Sequence, residues 1–433
     1  MTTLFKALNI IFTLTIFTLF TFGQSKQITV PINYDFGPGK AATGFTQIRA
    51  NQQFTAQKGF GFLSTAGLQE ISRQRGSELT SDFITSDNPF YFALTLPDGN
   101  YDVKVTFGDS EGTSSQTLRA ESRRYMFPNT TTKAGEIKTA VFTVHMGSSE
   151  IDAERKMQIT DREVKLMRFD KLLTLEFAGS ETKICALEIR RNDQAVNIFL
   201  AGNSTVCDWE SEPGAAWGMM IPAFFKAKKV AVANYAESGE TMLAFEKEMR
   251  LAKIWQMAKA GDYLFMEFAH NDQKDGINHL DAETTYKQKL MEWIIEARKR
   301  HINPVMVTST SRRSFNQAGV ATNSLGKFPD AMRKLAKDEN IPIIDLNAMS
   351  MVLNQTWGAE GSAKAFIDGT HTNVYGAYEL ARCIAGSLMK AAPELAKYVK
   401  QDFKQFDPLN PDDPSTIIWP PGLKVYNFKP LGN

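Results

Sequence analysis

From residue 195 onward, short apolar runs alternate with stretches of helical periodicity. VNIFLA, KVAVAN and DYLFMEF are typical of buried strands, whereas ETTYKQKLMEWIIEARKR and PDAMRKLAKDE repeat their apolar residues with helical spacing. Strands joined by helices run parallel, and the helices then cover both faces of the sheet. We therefore expect an α/β domain with a parallel sheet over residues 195–398.

Residues 27–191 follow the period of a β-sheet instead. PFYFALTL and YDVKVTFGD alternate apolar and polar residues on either side of the turn PDGN, which predicts a hairpin. VFTVHM, LLTLEFAG and KICALEIRR continue the pattern, and no long amphipathic helix separates them. The expected fold of this segment is an antiparallel β-sandwich.

Length, charge and cysteine content limit the class of protein. With 433 residues, the chain has room for two domains with substantial cores. A formal net charge of +1 and the lack of a basic cluster argue against nucleic acid as a partner. The three cysteines, Cys185, Cys207 and Cys383, have no metal-binding spacing, so we expect neither a metal nor another cofactor.

The two ends of the chain have distinct compositions. Lys6 precedes a mostly apolar run over residues 8–22, and Gly23 follows it. This pattern predicts a cleaved signal peptide over residues 1–23, hence a secreted or periplasmic protein with no membrane contact after cleavage. The proline-rich tail over residues 399–433 is expected to pack on the domains through its apolar side chains. These are Ile417, Ile418, Trp419 and Tyr426.

Polar residues follow the predicted parallel strands. They are Asn203-Ser204, the run from Asn234 to Gly239, Ala269-His270-Asn271-Asp272 and Ser309-Thr310-Ser311-Arg312-Arg313, with Asp368-Gly369-Thr370-His371 near the end of the domain. In an open parallel sheet, ligands bind beyond the carboxyl ends of the strands. The sequence therefore predicts one site at this edge of the sheet.

A serine and a histidine among these residues suit nucleophilic catalysis. A serine hydroxyl needs a base to take its proton, and histidine is the usual base near neutral pH. Asp368 precedes His371 closely in a loop, so its carboxylate can orient the imidazole. Three other histidines are less suited to act as this base, because they lie in a predicted strand, in a polar loop and at a helix end. They are His145, His279 and His301.

Four ordered blocks resemble a known superfamily. LAGNSTV, NYAESGETM, FAHNDQ and DGTHTNVYGA are similar to the four blocks of the SGNH (GDSL-like) hydrolases. The flanking segments DWESEPGAAWGMMIPAFF and VMVTSTSRRSF resemble the rhamnogalacturonan acetylesterase family of carbohydrate esterases. The resemblance covers residues 197–391 and implies a flavodoxin-like three-layer αβα domain. The N-terminal sandwich is similar to galactose-binding-like modules found beside carbohydrate enzymes.

The resemblance implies a role for several of these residues. Ser204 would be the nucleophile, His371 the base and Asp368 its orienting acid. The oxyanion hole would combine the backbone N–H groups of Ser204 and Gly239 with the side-chain amide of Asn271. A triad of this kind needs no metal.

Two positions depart from the pattern of the superfamily. Asn203 stands where the first block usually has aspartate, and Ala269 stands where the third block more often has glycine. Asparagine keeps the shape of aspartate and a carbonyl acceptor, so we expect both changes to be tolerated. They also leave open a relative that has lost catalysis and binds sugar.

Arginines follow the fourth strand, where a pocket rim is expected. A guanidinium binds a carboxylate through two hydrogen bonds, so Arg312 or Arg313 is expected to hold a galacturonate of a pectic backbone. A pair of solvated surface arginines is the alternative. Asn203 and His270 are also expected to bind substrate, and Trp209 is a candidate for stacking on a sugar face.

Three hypotheses about function follow. The first is a secreted serine esterase that removes acetyl groups from pectic polysaccharide, rhamnogalacturonan in particular, through an acyl-enzyme. The second is an esterase of the same fold that acts on another acylated glycan such as xylan. The third is a non-catalytic carbohydrate-binding protein. The intact Ser204, Asp368 and His371 favour the esterases.

Overall fold

The structure, a computed structural model, describes residues 26–73 and 75–422. Within them, the first half of the chain forms two sheets that share one long strand. The strands are β1 (Ile32–Phe36), β2 (Thr46–Ile48), β3 (Phe60–Phe62), β4 (Gln69–Ser72), β5 (Asp82–Ser86), β6 (Phe90–Thr95), β7 (Gly99–Gly108), β8 (Ser114–Ala120), β9 (Arg124–Thr132), β10 (Ile137–Met146) and β11 (Leu172–Arg191). The first part of β11 pairs with β6 and β8, and its last part pairs with β1, β5 and β7.

The turn at residues 97–100 does not form the predicted hairpin. Strand β6 pairs with β3 and β11, whereas β7 pairs with β10 and β11, so the turn carries the chain from one sheet to the other. Alternating apolar residues on both sides of a turn are compatible with a hairpin, and equally with a turn that carries the chain from one sheet to the sheet packed on it. The sandwich is also not purely antiparallel, because β1 and β2 run parallel.

Aromatic side chains fill much of the space between the two sheets. Phe92 lies at the centre, with its ring centroid 5.1 Å from that of Phe62 and 5.3 Å from that of Phe36, in edge-to-face arrangements. His145 lies in β10 at the contact with the second domain, where its Nδ1 is 2.9 Å from Oδ1 of Asn100 and its Nε2 is 3.3 Å from the Tyr235 hydroxyl. These hydrogen bonds make His145 a structural residue of the domain contact.

The second half of the chain contains the expected parallel sheet. Its strands lie in the order β14-β12-β15-β16-β17, and a separate antiparallel pair joins β13 to β18. These strands are β12 (Val196–Gly202), β13 (Gly214–Ala215), β14 (Val230–Asn234), β15 (Tyr263–Glu267), β16 (Asn303–Val307), β17 (Ile343–Ile344) and β18 (Thr372–Asn373). From β12 the chain moves first to one side and then to the other, so the end of β12 is a topological switch point, where open sheets bind ligands.

Helices cover both faces of the parallel sheet. They are α1 (Trp217–Met220), α2 (Met242–Lys247), α3 (Arg250–Met257), α4 (Thr285–Lys299), α5 (Phe328–Asp338), α6 (Leu346–Gly361), α7 (Val374–Ala391) and α8 (Pro393–Ala396). One apolar cluster packs α1, α6 and α7 on the sheet, and a second cluster packs α2 to α5 on the opposite face. The result is a three-layer αβα domain.

The predicted signal peptide over residues 1–23 lies outside the described residues, as does Tyr426 of the tail. In the described part of the chain, no helix has the length and apolar character that a membrane span needs. The described tail ends beside both domains, where Trp419 donates from Nε1 to Glu212 at 3.0 Å and Arg119 donates to the carbonyl of Pro420 at 2.9 Å.

Candidate active site

The ends of the strands bring a serine, a histidine and an aspartate into one hydrogen-bonded chain. Ser204 follows β12 directly, and its Oγ is 2.9 Å from Nε2 of His371. Nδ1 of His371 is 2.7 Å from Oδ2 of Asp368. The serine side chain is mostly buried, and the imidazole is about a quarter exposed, with 28% of its surface open to solvent. A substrate can therefore approach the hydroxyl from the imidazole side.

A tight turn holds Asp368 in its orientation. Its Oδ1 accepts hydrogen bonds from the backbone N–H groups of Thr370, at 2.6 Å, and His371, at 2.7 Å, which leaves Oδ2 for the ring. Partial burial raises the pKa of Asp368, but these hydrogen bonds outweigh burial, and the pKa lies below its ordinary value. The carboxylate is therefore ionised at neutral pH and can stabilise an imidazolium.

Trp209 packs against the imidazole from the loop that follows the serine. The two ring centroids are 5.2 Å apart in an edge-to-face arrangement, and Nε1 of Trp209 donates to the carbonyl of Ser204 at 3.0 Å. The indole is thus in contact with the histidine and tied to the serine backbone. This position supports a role in holding the two residues together, and stacking of Trp209 on a sugar face stays a prediction.

Asn203 shapes the turn that presents the serine. Its Oδ1 accepts a hydrogen bond from the backbone N–H of Thr205 at 3.1 Å and lies 3.0 Å from the oxygen of the Thr205 hydroxyl. The side chain is fully buried, and its Nδ2 has no hydrogen-bond partner among the described residues. The geometry therefore favours a role in the shape of the loop over the predicted contact with substrate.

A buried carboxyl group lies beneath this turn. Glu267, the last residue of β15, accepts hydrogen bonds from the Thr205 hydroxyl at 2.7 Å and from Nε1 of Trp217 at 2.6 Å. Burial raises the pKa of Glu267 to about 7. Sequence reasoning overlooked Glu267, although a carboxyl group within the apolar run DYLFMEF is itself a signal of a buried polar contact.

The three predicted oxyanion donors lie on neighbouring loops. Gly239 has a φ of +85°, a conformation that favours glycine. Within the described chain, neither its backbone N–H nor that of Ser204 donates a hydrogen bond. Asn271 donates one N–H from Nδ2 to the carbonyl of Glu240 at 3.0 Å, which ties it to the Gly239 loop and leaves its second N–H for a ligand.

The residues around Asn271 are buried supports. Ala269 has a φ of +154°, which explains why glycine is the more common residue there in the superfamily. His270 is 2% exposed, with Nε2 3.0 Å from the carbonyl of Thr310. Burial first and the nearby Arg312 cation second lower the pKa of His270 to about 3. His270 is therefore neutral and supports the loop. Its side chain has almost no exposed surface with which to make the predicted contact with substrate.

The two arginines occupy different surroundings. Arg312 donates from Nε to the Thr370 hydroxyl at 3.1 Å, inside the loop between Asp368 and His371. Partial burial lowers the pKa of Arg312, and no carboxylate of the described residues pairs with it. Arg313 instead donates to the carbonyl of Ala359 at 2.6 Å, close to the end of α6. Arg312 is therefore the arginine placed at the predicted site, and Arg313 ties two segments of the fold together.

Comparison with known families supports both halves of the fold. Residues 32–152 match the family model described as "Beta-agarase/YXIM esterase-like, galactose-binding domain-like". Residues 198–384 match the model "GDSL-like Lipase/Acylhydrolase". The predicted fold class is confirmed: an SGNH hydrolase domain of the α/β class, preceded by a galactose-binding-like β domain.

Curated proteins of Bacillus subtilis are similar to the chain. "Rhamnogalacturonan acetylesterase RhgT" is 36% identical over 207 residues, which cover 44% of this chain and 88% of the relative. "Probable rhamnogalacturonan acetylesterase YesY" is 29% identical over 214 residues, covering 47% of this chain and 98% of the relative. "Uncharacterized esterase YxiM" is 26% identical over 375 residues, covering 82% of this chain and 90% of the relative.

The first of these relatives is matched over most of its length, and the four sequence blocks and the hydrogen-bonded Ser204, His371 and Asp368 fall inside the matched domain. The similarity to YxiM extends across both domains. The chain therefore belongs to the GDSL-like (SGNH) acylhydrolase family, as an esterase related to rhamnogalacturonan acetylesterases.

Proposed function

We propose that the protein is an exported serine esterase that removes acetyl groups from pectic polysaccharide, with rhamnogalacturonan as its substrate. The observation that carries this proposal is the chain of hydrogen bonds from Ser204 through His371 to Asp368. The choice of rhamnogalacturonan as substrate is supported by the similar proteins RhgT and YesY, which are named as rhamnogalacturonan acetylesterases, the latter as a probable one. Export rests on the signal-peptide-like sequence over residues 1–23.

The proposed reaction is acyl transfer through the serine. Ser204 Oγ attacks the acetyl carbonyl carbon while Nε2 of His371 takes the hydroxyl proton. The tetrahedral intermediate collapses, and the sugar oxygen leaves with the proton from His371, so that an acetyl-serine remains. Water then attacks this ester and gives a proton to His371. Acetate departs, and the proton returns to Ser204.

Stabilisation of the oxyanion is proposed for three donors. The backbone N–H groups of Ser204 and Gly239 have no partner in the described structure, and Asn271 retains one free N–H. Donors that are in place before charge develops need no reorganisation during the reaction. Their combined geometry supports the oxyanion hole that the family resemblance implies.

The proposed preference for pectin rests on Arg312. Its guanidinium is half-buried, donates to Thr370 and lies 3.4 Å from the carbonyl oxygens of Ser324 and His270, without a carboxylate partner among the described residues. A cation that has lost part of its hydration gains most from an incoming carboxylate, which galacturonate supplies and xylan's neutral backbone lacks. We propose that Arg312 binds the galacturonate next to the acetylated sugar.

The test compares acetate release from three esters: acetylated rhamnogalacturonan oligosaccharide, acetylated xylo-oligosaccharide and p-nitrophenyl acetate. We expect the wild type to have its highest kcat/KM on the first ester. Ser204→Ala should abolish release from all three, because it removes the attacking oxygen. Arg312→Gln should lower kcat/KM about 10- to 100-fold on the rhamnogalacturonan ester alone, the range expected for loss of a charged hydrogen bond.

Arg313→Gln is the matched control, since Arg313 follows Arg312 in sequence but donates to Ala359 and Ser362. It should affect all three esters alike. Equal losses for Arg312→Gln on charged and neutral substrates would exclude the carboxylate contact. An unchanged rate for Ser204→Ala would exclude the nucleophile, and a preference for the xylan ester would point to the other substrate class.

A further inference from the structure

Ion pairs connect the β-rich first half of the chain, through β9 and the segment between β10 and β11, to two loops of the hydrolase domain. The segment that carries them has left the sandwich, since its residues Met157 and Phe169 pack in an apolar cluster of the hydrolase domain. We name this group the interdomain ion cluster. It comprises Arg124, Arg162, Glu163 and Arg168 of the first domain and Asp208, Glu210, Glu237 and Arg250 of the hydrolase domain.

Arg162 and Arg168 bind the loop that carries Gly239. Arg162 grips Glu237 with two hydrogen bonds, Nε to Oε1 at 2.7 Å and Nη2 to Oε2 at 2.5 Å. Arg168 donates from Nη2 to Oε2 of Glu237 at 2.6 Å and to the carbonyl of Ala236 at 3.2 Å. Glu237 precedes Gly239 by two residues, so the first domain restrains the start of the loop that presents a proposed oxyanion donor.

Arg162 and a second arginine, Arg124, bind the loop behind the serine. Arg162 donates from Nη1 to the carbonyl of Asp208 at 3.0 Å, and Arg124 donates from Nε to Oδ2 of Asp208 at 2.9 Å. Trp209, the next residue, is the side chain that packs against the imidazole of His371. One guanidinium, that of Arg162, therefore touches both the Gly239 loop and the loop that supports the triad.

Such contacts constrain geometry more than they raise stability. Glu237 is 1% exposed and Arg168 is fully buried, so each lost hydration energy when the domains came together. A buried ion pair roughly offsets that loss, and its net contribution to folding is small. The planar fork of an arginine on a carboxylate does fix distance and angle, because two hydrogen bonds must form at once.

We infer that Arg162 is a positioning residue for the esterase reaction: from the segment between β10 and β11, it sets the Gly239 donor and Trp209 relative to Ser204. This inference rests on the proposed function. It assigns the segment between β10 and β11 a part in catalysis. It also predicts that a change at Arg162 affects the transition state more than the bound substrate.

The test uses Arg162→Lys in the full-length protein. This substitution keeps the positive charge and removes the planar guanidinium that makes two hydrogen bonds to Glu237. We expect kcat to fall about 10- to 100-fold, the loss expected when a catalytic group is misplaced by about 1 Å. KM should change little. The affinity for a phenylboronate, which mimics the tetrahedral intermediate when bound to serine, should fall in parallel with kcat. All rates are measured well below the melting temperature of each variant.

Arg73→Lys is the matched control. Arg73 also grips a carboxylate with two hydrogen bonds, to Asp109 at 3.0 and 2.8 Å, but within the sandwich. It should lower the melting temperature and leave kcat unchanged. If Arg162→Lys does not fold, Thr160→Val replaces it. This change removes the 3.3 Å hydrogen bond to Glu237 and the 3.2 Å hydrogen bond that the Thr160 hydroxyl accepts from the backbone N–H of Glu163, and it should lower kcat about threefold.

An Arg162→Lys variant with unchanged kcat and boronate affinity would overturn the inference, as would equal losses of kcat for Arg162→Lys and Arg73→Lys. These outcomes differ from failure of the proposed function, which would appear as full activity in Ser204→Ala. If the wild type needs Ser204 for activity but Arg162→Lys has the kcat of the wild type, the proposed esterase function stands and only the role of Arg162 is excluded.

Discussion

At the scale of single residues, the side-chain amide of Asn271 has a restrained position. Its Nδ2 donates to the carbonyl of Glu240, and its Oδ1 accepts from the ammonium of Lys274 at 2.7 Å. Both contacts hold the plane of the amide, so the free N–H points in one direction. An uncharged donor of this kind gains strength only as negative charge develops on the substrate oxygen.

Asn271→Ala is therefore expected to lower kcat by about 10²- to 10³-fold with little change in KM. Initial rates of acetate release over a range of substrate concentrations give both constants. Lys274→Ala is the control, because it removes one restraint and keeps the donor, and its kcat should stay close to that of the wild type. A rise in KM at constant kcat for Asn271→Ala would make Asn271 a residue of substrate binding.

At the scale of elements, the site depends on where parallel strands end. β12, β14, β15 and β16 stop at one edge of the sheet, and each continues into a loop that carries part of the site. β12 and β15 also pair along their length, with Gly202 opposite Glu267. The carboxyl group at the end of one strand is thereby placed beneath the turn at the end of its neighbour.

Glu267 is expected to make the stability of the fold depend on pH. Its pKa rises with burial from an ordinary value of 4.5 to about 7. Because the folded pKa is the higher one, its contribution to stability is present at low pH and is lost as pH rises from about 4.5 to about 7. Glu267→Gln does not titrate and should escape that loss.

The free energy of unfolding of Glu267→Gln, relative to the wild type, should therefore increase between pH 5 and pH 8, by on the order of 2 kcal/mol. Urea denaturation of both proteins at the two pH values measures this difference. A difference that stays constant, or that shrinks, would mean that Glu267 is ionised in the folded protein well below pH 7.

At the scale of the whole molecule, the tail links the two domains. The guanidinium carbon of Arg119 lies 4.6 Å from the ring centroid of Trp419, and the Tyr125 ring lies 5.3 Å from it on the sandwich side. The indole N–H donates to Glu212, which belongs to the hydrolase domain. One side chain therefore contacts both domains.

Trp419→Ala is expected to lower the free energy of unfolding by about 2 kcal/mol, through lost apolar burial and the lost cation–π contact. Ile418→Ala is the control at the neighbouring position, where the side chain is 56% exposed, and it should change stability by less than about 0.5 kcal/mol. Chemical denaturation measures both. Equal stability of the two variants would show that the tail does not hold the domains together in solution.

The sequence alone predicted the parts of the protein that depend on local pattern. The pattern of apolar residues predicts the parallel sheet and the β domain. A strand buried on one face alternates apolar and polar residues, whereas a strand buried on both faces is a short, continuous apolar run. Asp368 and His371 are also a local signal, since three residues of one loop bring carboxylate and imidazole together. The family of the chain could be inferred from four short blocks such as LAGNSTV and DGTHTNVYGA.

Only the tertiary structure decided how distant segments meet. The turn at residues 97–100 reads as a hairpin but connects two sheets, because pairing with β11 takes the place of local pairing. Arg312 and Arg313 are neighbours in sequence and both contact the loop of the triad, but Arg312 does so through its guanidinium and Arg313 only through its backbone N–H, which donates to the carbonyl of Gly369 at 2.9 Å. Arg162 and Glu237 lie 75 residues apart, and no local pattern joins them. Ion pairs of this kind depend on how the two domains pack, which sequence spacing does not encode.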